Sequence, residues 1–145
     1  MSSFDSYLAS VGLREATMAR ANGVIDFYST TLGEDVDDIF VSETAGADGS
    51  RIYQSLWLAS KDSVMEAKEF ITKDMFDKTI WGNAILYWEI TKQNYDFKQA
   101  TDASRLVIHF RSTTDITGTL MASGANCDHL RGWFEKYIKA SVVAR

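Results

Sequence analysis

Proline is absent from the 145 residues, although an average usage of about 5% predicts roughly seven. Its absence removes slow X-Pro isomerisation from folding and excludes PxxP ligand segments. A single cysteine, Cys127, excludes an internal disulfide framework and any metal site built from CxxC pairs. No apolar run approaches the roughly 20 residues of a membrane-spanning helix, and the N-terminus lacks the pattern of a secretory signal. We therefore expect a cytoplasmic protein that does not insert into a membrane.

Basic residues are scarce in the first third of the chain. Residues 1–50 contain two basic and nine acidic side chains, whereas residues 51–145 contain thirteen basic and eleven acidic ones. The net charge of −5 disfavours nucleic acid and anionic membrane surfaces, because both bind basic patches. The acidity is densest in an acidic segment, residues 34–38, which contains Glu34, Asp35, Asp37 and Asp38. We predict that these four residues bind a basic protein partner, since charge complementarity speeds association.

The same segment does not predict a metal site. Its spacing lacks the glycine and the later glutamate that an EF-hand loop requires. Residues 44–50 (TAGADGS) contain two glycines, but they lie between predicted strands, whereas a phosphate-binding loop lies between a strand and a helix. We therefore expect neither a metal nor a cofactor.

The apolar content is sufficient for one folded domain. Hydrophobic residues make up 46% of the chain, and 8 Phe, 6 Tyr and 4 Trp can build a sizeable core. No stretch resembles an interdomain linker, and no internal repeat is present. The length and composition predict a single α+β domain over residues 1–145.

Helical periodicity marks the beginning of the chain. Apolar residues at helical spacing predict a helix over residues 4–20, although Gly12 weakens the pattern, and Asn22 with Gly23 indicates its end. Residues 24–32 have a β-branched content that also permits a strand, but their spacing favours a second helix that ends at Gly33.

Strand-like patterns dominate from residue 38 onward. The predicted strands cover residues 38–44, 51–60, 83–93, 105–112 and 116–123. Residues 63–71 fit a strand and a helix equally well, and so does the longer stretch to residue 76. The last two predicted strands, joined by a short turn, indicate an antiparallel hairpin. Because strands do not alternate regularly with helices, a doubly wound parallel sheet is not expected.

The clearest element is a C-terminal helix over residues 127–141. One apolar stripe defines it: Leu130, Trp133, Phe134, Tyr137 and Ile138. Asn126 is the predicted N-cap. The whole pattern predicts an α+β fold in which an N-terminal helical segment precedes an antiparallel sheet of about five to seven strands, on which the C-terminal amphipathic helix packs.

Three known scaffolds share parts of this order. Residues 105–141 resemble the closing unit of pleckstrin-homology-like (PH-like) folds, in which a hairpin leads into a helix that carries a tryptophan and covers the sheet; Trp133 in HLRGWFEKYI matches it. Residues 21–39 (ANGVIDFYSTTLGEDVDDI) are similar to the helical opening of NTF2-like cone folds, which end in strands. A roadblock or longin scaffold, built for dimerisation, would require residues 63–78 to be helical.

Two groups of side chains are candidates for chemistry. Glu89 lies on the predicted central strand, and His109 and Arg111 share one face of another strand. If these faces coincide, Glu89 and His109 form an acid/base pair beside Arg111, although ordinary cross-strand charge pairs on a solvated sheet explain the same pattern. Cys127 at a helix start, with His109 as base, suggests a nucleophile, but no nucleophile signature surrounds it.

These observations favour a non-enzymatic protein-interaction or regulatory module. This expectation rests on the absence of a catalytic signature and on the acidic first third of the chain. The sequence is also compatible with a homodimer. The alternative is a small-ligand-binding enzyme or carrier with an aromatic-lined pocket that uses Glu89 and His109. The two hypotheses differ in whether these groups lie in a deep pocket or on an open sheet face.

Overall fold

The computed structural model describes residues 4–33, 35–45, 48, 50–60, 63–68, 70, 78–81, 85–94, 105–112 and 117–139. Two helices come first, α1 (Asp5–Ser10) and α2 (Glu15–Leu32). Seven strands follow: β1 (Asp38–Ala45), β2 (Arg51–Ala59), β3 (Ser63–Lys68), β4 (Lys78–Trp81), β5 (Ile85–Asn94), β6 (Arg105–Ser112) and β7 (Thr117–Ser123). The last helix, α3 (Asn126–Trp133), continues as a π-helical turn over Phe134–Ile138. This order confirms the predicted α+β class.

The strands form two antiparallel sheets. The first sheet has the order β1-β2-β3-β4, and the second has the order β5-β6-β7. Each neighbouring pair among these strands is antiparallel, as predicted. In the second sheet, Phe110 lies opposite Gly118, and a Cβ atom at Gly118 would lie 2.2 Å from Cζ of the Phe110 ring. A glycine is therefore required there, because the aromatic ring occupies the space of a side chain.

Side chains rather than a backbone ladder join the two sheets at β1 and β7. The Ser42 hydroxyl accepts a hydrogen bond from the Met121 amide at 2.9 Å. The Glu43 carboxylate accepts one from the Ser123 amide at 2.8 Å. These two residues of β1 therefore satisfy amide groups on the edge of β7, which would otherwise lack a partner in the protein interior.

The predicted helix over residues 4–20 is wrong in its continuity. α1 ends at Ser10, and Gly12 adopts a left-handed conformation with φ of 85° before α2 begins at Glu15. Because glycine has no Cβ, it adopts this conformation without steric cost. The break turns the chain, so that Leu8 and Leu13 are both buried.

The predicted helix end at Asn22 and Gly23 is also wrong. α2 passes through both residues and ends at Gly33, whose φ of 70° is the left-handed cap that the sequence predicts. An interior glycine costs a helix only about 1 kcal/mol. Burial of Val24 and Tyr28 outweighs this cost, because each side chain packs in the core.

The stretch from residue 63 forms a strand and not a helix. β3 is buried along residues 63–67, because the first sheet is covered on both faces. Strands covered on both faces lack polar alternation, which explains why the periodicity was ambiguous. The strand removes the condition on which the roadblock or longin resemblance depends. β4 was not predicted at all.

Two hydrophobic clusters lie on opposite faces of the first sheet. The cluster towards α1 and α2 includes Leu8, Val24, Tyr28, Ile39, Val41, Leu56, Leu58, Met65 and Phe70. The cluster towards the second sheet and α3 includes Phe40, Trp57, Val64, Leu106, Ile108, Phe110, Leu120, Leu130 and Trp133. The first sheet is thus the central layer of the fold.

The apolar stripe of the C-terminal helix is buried, as predicted. All five of its residues are less than 9% exposed, and Trp133 packs edge-on against Trp57 at a ring-centroid distance of 6.3 Å. The β6–β7 hairpin leads directly into this helix, which is the closing unit that the PH-like resemblance implies. The two N-terminal helices are not part of the PH-like pattern. The chain also differs from an NTF2-like cone, because it ends in a helix and not in strands.

Candidate functional site

The acidic segment is held against the edge of the first sheet. Asp35 and Asp37 are exposed, Asp38 is half-buried, and Glu34 lies outside the described residues. The Asp37 amide donates a hydrogen bond to the Ala59 carbonyl at 2.8 Å, which anchors the backbone just before β1. The Asp38 carboxylate accepts a hydrogen bond from the Ile39 amide at 2.8 Å. The backbone is therefore fixed while two carboxylates face solvent.

The C-terminal helix contributes a tyrosine and a lysine near this segment. Burial raises the pKa of Tyr137, the neighbouring Lys136 ammonium lowers that pKa, and the negative charges of Asp38 and Asp37 raise it. The interaction with the neighbouring Tyr137 side chain is the main reason that the pKa of Lys136 is raised, and Asp38 and Asp37 add to the effect. The acidic segment therefore acts electrostatically on the end of this helix.

The structure brings Glu89 and His109 together. They are direct partners across the β5–β6 ladder, and Arg111 is opposite Tyr87, two pairs further along. Glu89 and Arg111 are exposed, and His109 is half-buried. The hydroxyl of Thr119 on β7 lies 2.8 Å from Nδ1 of His109. Glu89, His109 and Arg111 therefore share one face of the second sheet, on which Glu89 and Arg111 are exposed.

Next to Thr119 lies a groove between the two sheets, with a volume of about 470 Å³. We call it the polar groove; it is lined by Gln54, Ser55, Glu66, Lys68, Thr117, Thr119 and Met121. Glu66 at its floor is only 5% exposed, and its carboxylate accepts a 2.5 Å hydrogen bond from Ser55. Lys68 at the rim is exposed. The sequence did not reveal this groove, because its described residues come from β2 and β3 on one side and from β7, which is distant in sequence, on the other.

Cys127 does not have the environment of a nucleophile. Its side chain is 2% exposed and belongs to the core beneath α3. Burial raises the pKa of the thiol, an effect that exceeds the lowering by Arg131. A thiol with a raised pKa is a poor source of thiolate, so the cysteine–histidine hypothesis is wrong for this residue.

Asn126 is not the helix cap that the sequence predicts. Ala125 occupies the N-cap position, and Asn126 is the first residue of α3. Its side chain is buried; it accepts a hydrogen bond from the Tyr7 hydroxyl at 2.8 Å and donates one to the Val41 carbonyl at 2.9 Å. Burial is the main cause that raises the pKa of Tyr7 well above its ordinary value. Asn126 therefore ties α3 to α1 and β1.

Glu43 is the charged centre of this buried polar junction. It is fully buried, and the Ser123 hydroxyl, which has one proton to donate, lies 3.0 and 2.8 Å from its two carboxylate oxygens. Asn126 donates a further, longer bond of 3.4 Å. No sequence pattern indicates this role, since Glu43 lies in a strand whose alternation is compatible with solvent exposure.

His129 completes the contact between α3 and the first sheet. Its Nε2 lies 2.7 Å from the Ile39 carbonyl and 4.0 Å from a carboxylate oxygen of Asp38. Its ring stacks on that of Tyr7 with a centroid distance of 3.8 Å. The short distance to the carbonyl indicates that Nε2 carries a proton and donates it. These contacts make His129 a structural residue of the junction.

No family model, no curated protein and no solved structure matches the chain. Within the part of the chain that the structure describes, no group of three or more metal-ligating side chains comes together. None of the described helices is long and apolar enough to cross a membrane. The function must therefore be inferred from the geometry of the acidic segment, the Glu89–His109 row and the polar groove.

Proposed function

We propose that the protein is a non-catalytic binding module that engages a basic protein partner through its acidic segment. The observation that supports this most strongly is the anchored backbone at Asp37 with the exposed side chains of Asp35 and Asp37. An exposed carboxylate on an anchored backbone, as at Asp37, loses little conformational entropy when it binds. Neighbouring exposed carboxylates also attract a cationic surface over about one Debye length.

The concentration of acidic residues in the first third of the sequence supports the same proposal. The remainder of the chain has a slight excess of basic residues, so the negative charge is local rather than uniform. A local charge gives an approaching partner a preferred orientation, whereas a uniform charge gives only solubility.

The proposal is tested by neutralising Asp35 and Asp37 together. Binding of fluorescently labelled decalysine is measured by fluorescence anisotropy at low and at physiological salt. We expect the Asp35→Asn/Asp37→Asn variant to bind about 3- to 10-fold more weakly, because each exposed ion pair contributes up to about 1 kcal/mol. The loss should shrink as salt is raised.

A matched control removes two exposed carboxylates from α2. Glu15 and Asp26 are both exposed, and the Glu15→Gln/Asp26→Asn variant has the same net charge as the test variant. We expect the control to bind within about 2-fold of the wild type. Equal losses in both variants would show that decalysine responds to net charge alone, and the proposal would then be wrong.

A second candidate is a small-ligand enzyme or carrier that uses Glu89 and His109 as acid and base. It is favoured by the direct pairing of these residues and by the 2.8 Å contact from His109 to Thr119, which lines the polar groove. The exposure of Glu89 argues against it, because acid/base residues work best in sites that exclude water. It predicts that hydrolysis of p-nitrophenyl acetate falls at least about 10-fold in His109→Gln. Unchanged hydrolysis would refute this candidate.

A further inference from the structure

A β-bulge in β2 brings two consecutive residues to the polar groove. Ser42 of β1 lies opposite Ser55 and Glu43 lies opposite Tyr53, so Gln54 has no partner of its own in this ladder. Successive side chains of a regular strand point to opposite faces of the sheet. Gln54 and Ser55 nevertheless both line the groove. A bulge redirects a side chain in this way, and bulges are over-represented beside functional sites.

Two opposite charges lie in the groove at different depths. Glu66 and Lys68 are both on β3, and both line the groove. Two residue steps of about 3.3 Å place their Cα atoms roughly 6–7 Å apart. Glu66 is 5% exposed, whereas Lys68 is exposed at the rim. This pair therefore offers a shielded negative group and an accessible positive group, and together they contribute no net charge.

The floor of the groove suits a cationic group of a ligand. The Glu66 carboxylate accepts a hydrogen bond of 2.5 Å from the Ser55 hydroxyl. A carboxylate has about four acceptor sites, so this bond alone does not exhaust them. Because Glu66 is almost completely buried, less water screens its charge than at an exposed carboxylate, and its attraction for a cation is correspondingly stronger.

The rim of the groove suits an anionic group of the same ligand. Lys68 lies directly opposite Ser55 in the β2–β3 ladder, next to the bulged Gln54. The side-chain carbonyl oxygen of Gln54 accepts a long hydrogen bond of 3.4 Å from Ser42, which leaves its NH2 group to donate to a ligand. The groove volume of about 470 Å³ falls within the range of natural small-molecule sites.

We propose that the polar groove binds a small zwitterionic molecule of the amino-acid type, whose ammonium group lies at Glu66 and whose carboxylate group lies at Lys68 beside Gln54. A zwitterion is attracted by both charges of the groove, whereas a singly charged ligand is attracted by one and repelled by the other. The site goes beyond the function proposed above. It lies at the Ser42–Ser55–Lys68 end of the first sheet, whereas the acidic segment lies at the opposite end of β1.

The test compares ligands of matched length: γ-aminobutyrate has both charges, butylamine has only the positive one, and butyrate has only the negative one. Each is titrated into the wild-type protein, and proton–nitrogen correlation NMR spectra follow the backbone amides. We expect γ-aminobutyrate to bind with a Kd of about 1 mM, at least about 5-fold more tightly than either singly charged ligand. The amide signals of Ser55, Glu66 and Thr119 should shift most. Erythritol, an uncharged polyol, should bind more weakly than γ-aminobutyrate.

Two variants each remove one charge from the groove. Glu66→Gln should weaken the binding of γ-aminobutyrate at least about 5-fold and should not weaken the binding of butyrate. Lys68→Gln should weaken γ-aminobutyrate to a similar extent and should not weaken butylamine. Because Lys68 is exposed, this variant keeps the proposal falsifiable if Glu66→Gln does not fold. Lys139→Gln is the matched control: it removes the charge of an exposed lysine on the C-terminal helix, and binding should stay within about 2-fold.

The outcomes separate this proposal from the one for the acidic segment. The Asp35→Asn/Asp37→Asn variant should bind γ-aminobutyrate as the wild type does, and Lys68→Gln should bind decalysine as the wild type does. The proposal is overturned if γ-aminobutyrate binds no more tightly than butyrate or butylamine, or if its Kd is unchanged in both Glu66→Gln and Lys68→Gln. Binding of erythritol as tight as that of γ-aminobutyrate would also overturn it, because the groove would then recognise hydroxyl groups and not a pair of charges.

Discussion

Trp133→Ala is expected to lower the free energy of unfolding by about 3–5 kcal/mol. Trp133 is 1% exposed and packs against two rings of the first sheet, with centroid distances of 5.9 Å to Phe40 and 6.3 Å to Trp57. Its removal leaves a cavity between α3 and the first sheet that the surrounding strands cannot close. Urea denaturation followed by far-UV circular dichroism measures the loss.

Trp133→Phe and Trp88→Ala serve as controls for this prediction. The indole Nε1 of Trp133 is buried and has no hydrogen-bond acceptor among the described residues, so phenylalanine loses volume but no hydrogen bond. We expect Trp133→Phe to cost less than about 2 kcal/mol. Trp88 is only partly buried, so Trp88→Ala should also lower the free energy of unfolding by less than Trp133→Ala does. A loss below 1 kcal/mol for Trp133→Ala would contradict the docking of α3 described above.

Glu43→Ala is expected to lower the free energy of unfolding by about 3–5 kcal/mol, because it breaks a buried hydrogen-bonded charge network. The substitution leaves the amide and hydroxyl of Ser123 without their acceptor, and Asn126 loses the longer of the two hydrogen bonds that its side-chain amide donates. A buried donor that loses its acceptor keeps the full cost of desolvation. Chemical denaturation measures the change, and the Ser123 amide should exchange faster with deuterium.

Two further variants isolate the reason for the Glu43 effect. Glu43→Gln keeps one acceptor oxygen at a similar position, and we expect it to cost about half as much as alanine. Glu89→Ala removes an exposed carboxylate and should change the stability by no more than about 0.5 kcal/mol. If Glu43→Ala were as mild as Glu89→Ala, the carboxylate would not be what holds β7 against β1.

The β-strands with one covered face were predictable from sequence. In β6, Leu106 and Phe110 are buried while His109 and Arg111 are half-buried or exposed, as the alternation predicts. β3 was not predictable in the same way, because helices and the second sheet cover it on opposite faces and remove the polar alternation. The periodicity of a strand reports how many of its faces are buried, and only the fold decides that number.

The candidate sites also differ in whether a local sequence pattern or only the tertiary structure reveals them. The exposure of Asp35 and Asp37 agrees with a run of acidic residues, whose charge favours solvent. The pairing of Glu89 with His109 depends on the register between β5 and β6, and the sequence does not specify that register. The polar groove had no local signal, because Ser55, Glu66 and Thr119 become neighbours only when the two sheets meet.

The sequence by itself determined the α+β class, the β6–β7 hairpin and the amphipathic C-terminal helix, because each depends on side-chain spacing between near neighbours. Only the tertiary structure decided that α2 continues through Gly23, that Asn126 is buried rather than a cap, and that Glu43 holds β7. Glu43 and Ser123 are 80 residues apart in the chain. A hydrogen bond over that separation has no local pattern, since it forms only after both sheets have packed.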